Sequence, residues 1–534
     1  MTTAAELLRQ GRREEVWNKY CGFIDLNLER FMEIQQRLLL EQISLLSRCT
    51  LGKKLLGEQV PMTVAEFREQ VPLTQYCDYL PYLENTDVPP GVLPSEPKYW
   101  ARTSGRSSEY GFKWAPYSEA MVRKVGEFVT ASFLMASCSG RGDVKLSPGD
   151  VCLYTLAPAP YFTGGVIARG FEQELEPRFI PSLEEGDQLS FEERIQKGFK
   201  LALKDGIDLF YGLSSVLVAI AEQFERGGSK FEFSPELLHP RLAYRVAKGL
   251  ITSKLHKRAL LPKDLWDVKG IIAGGMDTAF FRDKIEKYWG VKPLEGYGGT
   301  EIGGIAIQAW NHKGMTFLPD CNFLEFIPEE EFFRSLDVRG YQPSTRLLDQ
   351  VTPGIYELVV TNFHGNPFVR YRTGDLVEIT ALKDYEIQVN LPQMVFHARA
   401  DGVLDVSGFT RLTEKSVWMA IEETGMPYEG WMIRKEYLQD KPMLHLYIES
   451  KNGFSAEEVG TLVHQNLKKM DSGYAELEAM LGFYPLQVTL LPKGAHQGYM
   501  HHQRTAGADL AHLKPPRINP SNEVIQLLIG KNGS

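Results

Sequence analysis

Cysteine is scarce in this chain. Six occur among 534 residues, at positions 21, 49, 77, 138, 152 and 321, with no C-x-x-C spacing and none after Cys321. That excludes a disulfide framework and a cysteine-ligated zinc site, and it fits a reducing compartment. Long apolar runs are missing too. None approaches the ~20 residues that cross a bilayer, so no membrane partner is expected. The N-terminal stretch MTTAAELLRQGRREEVW is charged too early for a secretory signal, which makes cytoplasmic the default expectation. No unbroken basic block appears either. Fifty-nine Lys and Arg stand against 68 Asp and Glu, a formal net charge of −9, and a nucleic-acid partner is not expected. Internal repeats and low-complexity segments are absent, and the oligomeric state is not legible.

What is present is ordinary globular material, 43% hydrophobic and 24% charged, enough for large cores. Residues 5–57 read as helices, with Ile24, Leu28, Phe31, Met32, Ile34, Leu38, Leu39, Ile43 and Leu46 recurring close to helical spacing. Thr63 with Glu66 forms a capping-box pattern. From Asp150 the pattern alternates. Strands are expected at 151–156, 177–182, 208–213 and 268–273, and helices near 194–204, 215–225, 240–254 and 278–289. Such alternation predicts crossover units and a largely parallel sheet, with ligands beyond the carboxyl ends of its strands. From Cys321 the texture becomes antiparallel, with strands at 355–363 and 370–380. From about Ala398 a small α+β domain is expected.

Four stretches carry chemistry. The first is YGGTEIGGIA, Tyr297 to Ala306, where two Gly pairs bracket Thr300 and Glu301 after a short strand expected at 291–295. Glycine lets a ligand approach the backbone closely, and a hydroxyl beside a carboxylate suits a phosphate and its Mg²⁺. The second is the polar loop ARTSGRSSEYGFKWAP, 101–116, expected to lead into a helix whose N-terminal amides can face an anion. The third is RYRTGD, 370–375, and the fourth RADGVLDVSG, 399–408.

These four motifs, in this order, resemble the acyl-adenylate-forming superfamily of acyl-CoA ligases, adenylation domains and luciferases. FREQVPLTQYCDYLPYLENTD (67–87), SGFTRLTEKSV (407–417) and GADLAHLKPPRI (507–518) narrow the likeness. They are similar to the Gretchen Hagen family of auxin-responsive acyl-acid amido synthetases, over essentially the whole chain. The resemblance implies an α/β fold. Its large N-terminal adenylate-forming domain, residues 1–397, would have crossover-connected sheets and a β-rich subdomain, and residues 398–534 would form a small mobile α+β lid. It also implies adenylation: a carboxylic acid attacks the α-phosphate of ATP, pyrophosphate leaves, and the acyl group passes to an amine, expected to be an amino acid.

By the same resemblance, Thr300 and Glu301 contact the α-phosphate and Mg²⁺, with Glu301 the metal ligand. Tyr297, Gly298, Gly299, Gly274 and Gly275 border the nucleotide. Asp375 accepts from both ribose hydroxyls, as two carboxylate oxygens can. Arg399 sits beside the nucleotide at the start of the small domain, Asp401 is the hinge, and Lys514 closes on the α-phosphate as a mobile point charge. Ser104, Gly105, Ser107, Ser108 and Lys113 match the pyrophosphate loop. Arg370 and Arg372 either face the nucleotide or pair with acids, and His364 is expected to be structural. The acyl pocket is expected around Tyr211–Leu217, Tyr161–Gly165 and the face near Gly299.

The loop departs from its relatives at Arg106 and Glu109 and carries one extra residue. A guanidinium there can itself bind phosphate, whereas Glu109 repels it unless turned away. Two alternatives stay open: an acyl-CoA ligase on the same scaffold, and a non-catalytic nucleotide-binding relative.

Overall fold

The computed structural model describes residues 2–103, 113–225, 240–274, 278–338, 340–406, 410–438, 441–451, 453–471, 474–475, 484–505 and 515–530. These fall into two compact units. Of the described residues, the first holds those up to 396 except 374–376; those three and the ones from 397 onward make up the second.

The first unit begins with helices. Leu28–Leu46 starts where the Asn27 side chain accepts from Arg30 N, satisfying an amide that has no partner within the helix. Its buried stripe holds Phe31, Leu38, Leu39, Ile43 and Leu46 at helical spacing, together with two buried amides, Gln35 and Gln42. Those amides dock the helix. Gln35 Nε2 donates to Pro319 O and Asn322 O, and its Oε1 accepts from Leu324 N at 2.9 Å. Gln42 Nε2 donates to Asn366 O at 2.8 Å, and its Oε1 accepts from Gly365 N. A helix read only as amphipathic thus holds the backbone that frames the site.

The alternating region forms the expected parallel sheet, in the order Arg178–Ile180, Val151–Tyr154, Leu209–Leu213, Gly270–Gly274. Its strands are short and almost wholly apolar, as a sheet covered on both faces requires. One side packs on a cluster with Phe210, Leu217, Trp266 and Trp289, the two indoles stacked at 5.8 Å.

The second sheet is seven-stranded: Asn322–Pro328, Gly354–Asn362, Tyr371–Ala381, Gln393–Arg399, Met315–Phe317, Gly303–Gln308 and Gly296–Gly299. The strand expected at 291–295 is corrected here. Only Leu294 bridges to the parallel sheet, giving its N–H to Ile271 O and its carbonyl to Ala273 N. Pro293 has no N–H to continue that ladder. The strand proper is Gly296–Gly299, the last strand of the antiparallel sheet, paired with Gly303–Gln308.

The second unit carries a three-stranded sheet, Tyr428–Leu438, Lys441–Ser450 and Leu486–Leu490, antiparallel then parallel. The ribbon Val403–Val406 with Thr410–Thr413 and the helices Glu414–Glu422, Ala456–Met470, Ala495–Thr505 and Asn522–Ile529 complete an α+β unit. The whole is the mixed α/β architecture expected from the sequence.

Candidate active site

The polar loop does not lead straight into a helix, as the sequence suggested. It closes a hairpin, Pro97–Arg102 with Trp114–Ser118, whose last pair is Arg102 with Trp114. Beyond that pair Thr103 and Lys113 bond each other: Thr103 N donates to Lys113 O at 2.9 Å and Lys113 N to Thr103 Oγ1 at 3.0 Å. The following helix, Glu119–Ser137, is capped by Ser118, whose Oγ accepts from Met121 N. One of its first-turn amides therefore already has a side-chain partner. Ser104, Gly105, Ser107 and Ser108, with Arg106 and Glu109, lie outside the described residues, as do Gly275 and Lys514. Gly274 ends the strand Gly270–Gly274 and pairs with Leu213.

Thr300 and Glu301 form the tip of the hairpin between Gly296–Gly299 and Gly303–Gln308. The tip is tight enough to demand glycine. A Cβ on Gly298 would stand 2.3 Å from Gly303 O, and Gly303 itself has φ +63°, a conformation other residues rarely adopt. The tip's carbonyls are held individually. Tyr117 Oη donates to Thr300 O at 2.8 Å, Asn362 Nδ2 to Glu301 O at 3.3 Å, and Asn322 Nδ2 to Ile302 O at 2.7 Å. The two asparagines are buried and bonded to each other, Asn362 Nδ2 to Asn322 Oδ1 at 2.8 Å. Asn322 O in turn accepts from Gln35. A chain of buried amides therefore runs from the docked helix to the hairpin tip.

The Glu301 carboxylate meets two groups. Lys113 Nζ stands 3.4 Å from Oε1, and Tyr371 Oη donates to the same oxygen at 3.3 Å. Both charged side chains are only 15% exposed, so solvent screens the pair less than at an open surface. Lys113 also lies 5.3 Å from the Tyr76 ring centroid. The Tyr76 hydroxyl bonds Trp114 on both its N–H and its carbonyl. Burial, with the Glu301 charge adding to it, pushes that phenol up to about 12. Tyr79 packs its ring on Tyr371 and Phe368 and bonds Val369 N and O, and Thr74 bridges to Tyr371. The structure thus brings Lys113, Thr300 and Glu301 together and adds Tyr76, Tyr117, Tyr371, Asn322 and Asn362. Sequence reading did not single those out. Tyr371 lay inside RYRTGD and Tyr76 inside the 67–87 stretch, which were available signals; the asparagines had none.

Tyr297 is buried, its ring 5.7 Å from that of Phe396. Gly299 faces Ile302. Phe162 stacks on Tyr117 at 5.5 Å, and Tyr161 Oη accepts from Arg102. The segment 161–165 therefore reaches the Thr300 carbonyl through Tyr117. Leu217 faces the core. It is fully buried in the Trp266–Trp289 cluster, and its carbonyl accepts from Trp289 Nε1.

Both arginines of RYRTGD pair with acids. Arg370 is buried, forms a bidentate pair with Glu325 at 2.9 and 2.8 Å, and gives its third nitrogen to Arg68 O and Val71 O. Arg372 holds Glu357. His364 Nε2 donates to Asp320 O at 2.7 Å, and burial lowers its basicity, the environment of a structural histidine. In the second unit Asp375 Oδ1 lies 3.3 Å from the Arg399 guanidinium, and Asp401 sits in the turn Ala400–Gly402.

The donor set fits a nucleotide-borne Mg²⁺ rather than a protein cage. Among the described residues no group of three His, Cys, Asp or Glu is placed to hold a metal. One carboxylate beside a hydroxyl, with an ammonium ready to meet an anion, is the set an ion shares with phosphate oxygens.

Residues 22–148 match the GH3 family N-terminal domain, and residues 315–399 the GH3 family central domain. A probable indole-3-acetic acid-amido synthetase, GH3.12 of Oryza sativa subsp. japonica, is 23% identical over 304 residues. The match covers 50% of this chain and 48% of that protein, so the chain spans about half the length of that curated relative. Among solved structures, the acyl acid amido synthetase AtGH3.15 in complex with 2,4-DB aligns with a TM-score of 0.66 at 17% identity, covering 93% of each chain. A 2-hydroxyisobutyryl-CoA ligase in the postadenylation state, in complex with R3-HIB-AMP, aligns at 0.53 with 14% identity, over 99% of this chain and 92% of that one.

Proposed function

We propose that the chain, whose residues 22–148 and 315–399 match GH3 family domains, is a GH3-type ATP-dependent acyl-acid amido synthetase. It activates a carboxylic acid as an acyl-AMP, releases pyrophosphate, and passes the acyl group to the amine of an amino acid. The observation that carries this reading is the Glu301 carboxylate, fixed on a glycine-bracketed hairpin tip against Lys113 and Tyr371.

A carboxylate is a poor acylating agent because oxide would have to leave. Joining it to the α-phosphate requires two anions to meet, so the chain's task is positioning and neutralisation. Glu301 would hold the metal and Thr300 the α-phosphate. Mg²⁺, when bound there, neutralises phosphate charge. Lys113 is the counter-ion of Glu301 and exchanges that partner for a phosphate oxygen, which a compact, flexible ammonium does readily. Tyr371 keeps its hydrogen bond and so keeps the carboxylate aimed. Ser104, Gly105, Ser107 and Ser108 supply the loop around pyrophosphate. Gly274, Gly275, Tyr297, Gly298 and Gly299 border the base, and Asp375 with Arg399 takes the ribose side. Residues 1–397 form the adenylating domain in this reading. Residues 398–534 are the lid, which turns about Asp401 and delivers Lys514. A cytoplasmic location belongs to the same reading.

The experiment is acid-dependent pyrophosphate release across a broad panel of carboxylic acids, with and without each amino acid or CoA. Release stimulated by amino acids, with amide product, is expected. Stimulation by CoA alone would replace the amine with a thiol as acceptor, and no acid-dependent release would remove adenylation altogether. In the same assay Glu301→Gln lowers the rate by about a hundredfold, the scale of losing one transition-state stabiliser.

A further inference from the structure

One helix far along the first unit carries charge and apolar surface that the adenylation chemistry does not use. Between Glu236 and Asp264 the sequence has no acid and seven Lys or Arg (241, 245, 248, 254, 257, 258 and 263) in a chain whose net charge is −9. The helix Pro240–Leu255 occupies most of this stretch. Its inner face packs through Leu242 and Gly249, where a Cβ would meet Leu265 at 2.8 Å. Arg245 is committed inward, donating to Leu203 O and Lys204 O at the end of the helix Phe191–Asp205. Arg258 is committed to Asp264.

The outer face is different. Tyr244, Ile251 and Leu255 fall on one stripe and are 73, 60 and 74% exposed, with Leu250 beside them at 46%. Lys248 and Lys254, both exposed, flank the stripe on opposite sides. Among the described residues the acid paired with them is Asp267, 3.2 Å from Lys248 and itself 88% exposed, a rim pair of little strength.

We propose that the helix Pro240–Leu255 lies on an anionic lipid surface, with Tyr244, Ile251 and Leu255 in the interface and Lys248 and Lys254 at the phosphate level. Three observations select this occupant. The helix itself carries only basic charge beside the stripe, complementary to anionic headgroups, and each such lysine adds attraction near the surface. Long lysine stems let the ammonium groups reach up while the stripe sinks. At exposures of 60 to 74%, no element among the described residues stands beside the stripe to wall a groove for a peptide, whereas a flat surface needs no walls. A second copy packed helix on helix would set like-charged lysines against each other. The missing bilayer-spanning run does not oppose the inference, since a helix lying in the interface spans nothing.

The test is co-sedimentation of the full chain with phosphatidylcholine vesicles and with vesicles containing one-third phosphatidylserine, at low and high salt. Binding to the anionic vesicles only, weakened by salt, is expected. Lys248→Gln with Lys254→Gln should weaken it about thirtyfold, and Ile251→Asp with Leu255→Asp should abolish it. Both double variants should keep the parent's thermal midpoint and pyrophosphate release. Equal binding to both vesicle types, or binding untouched by both double variants, overturns the proposal. So does a parent dimer that the aspartate variant converts to monomer.

Discussion

At the scale of single residues, the hairpin tip shows how much of a site is backbone. Glu301 bears the charge, but its place is set by Tyr117, Asn362 and Asn322, which hold three successive carbonyls. Histidine gives a second residue-scale consequence. His312 has φ +53°, its Nδ1 lies 3.1 Å from Pro293 O, and burial, helped by Lys292, lowers its pKa to about 4 from 6.5. The folded state therefore binds this proton less readily than the unfolded chain. Above about 6.5 the group contributes no pH dependence. As pH falls towards about 4 the unfolded state gains the proton and stability declines. His312→Asn keeps a residue that tolerates the left-handed backbone. Urea midpoints measured across that range should show a flatter acid-side slope for the variant than for the parent.

At the scale of elements, the long N-terminal helix matters to the site although it contributes no side chain to it. Gln35 satisfies Pro319 O, Asn322 O and Leu324 N at once. Gln35→Leu keeps the volume but leaves those three backbone groups buried and unpaired. A loss of about 3 kcal/mol in unfolding free energy is expected, read from denaturant titration. A loss under about 0.5 kcal/mol would mean that water replaces the amide there. The hairpin before Lys113 works the same way. Its strands, with the Thr103–Lys113 pair at their end, bring a lysine close to a carboxylate that is 188 positions further along the chain.

At the scale of the whole molecule, the chain forms two units that differ in build: one with parallel and antiparallel sheets, one a small α+β fold. The proposed reaction has two halves, adenylation and transfer. The same proposal puts a hinge at Asp401, in the turn Ala400–Gly402, which would make them separable. Asp401→Pro removes dihedral freedom at that turn, so amide formation should slow roughly tenfold more than acid-dependent pyrophosphate release, as when a conformational step limits turnover. Equal slowing of both would place the hinge elsewhere.

The sequence by itself determined what periodicity and local chemistry can carry. The alternation from Asp150 predicted the parallel sheet, the strands and helices falling within a few residues of their expected bounds, because burial on both faces leaves continuous apolar runs. The glycines of YGGTEIGG marked a tight tip, because a Cβ at Gly298 would stand 2.3 Å from a carbonyl oxygen and the +63° φ of Gly303 is one that few other residues adopt. Only the tertiary structure decided which sheet that tip belongs to, and that Arg370 faces Glu325 rather than a ligand. It alone joined Tyr76, Lys113, Glu301 and Tyr371, and it left one stripe of the helix Pro240–Leu255 turned outward. Pairings between residues so far apart in the chain leave no period in the sequence. They exist only where packing closes the distance.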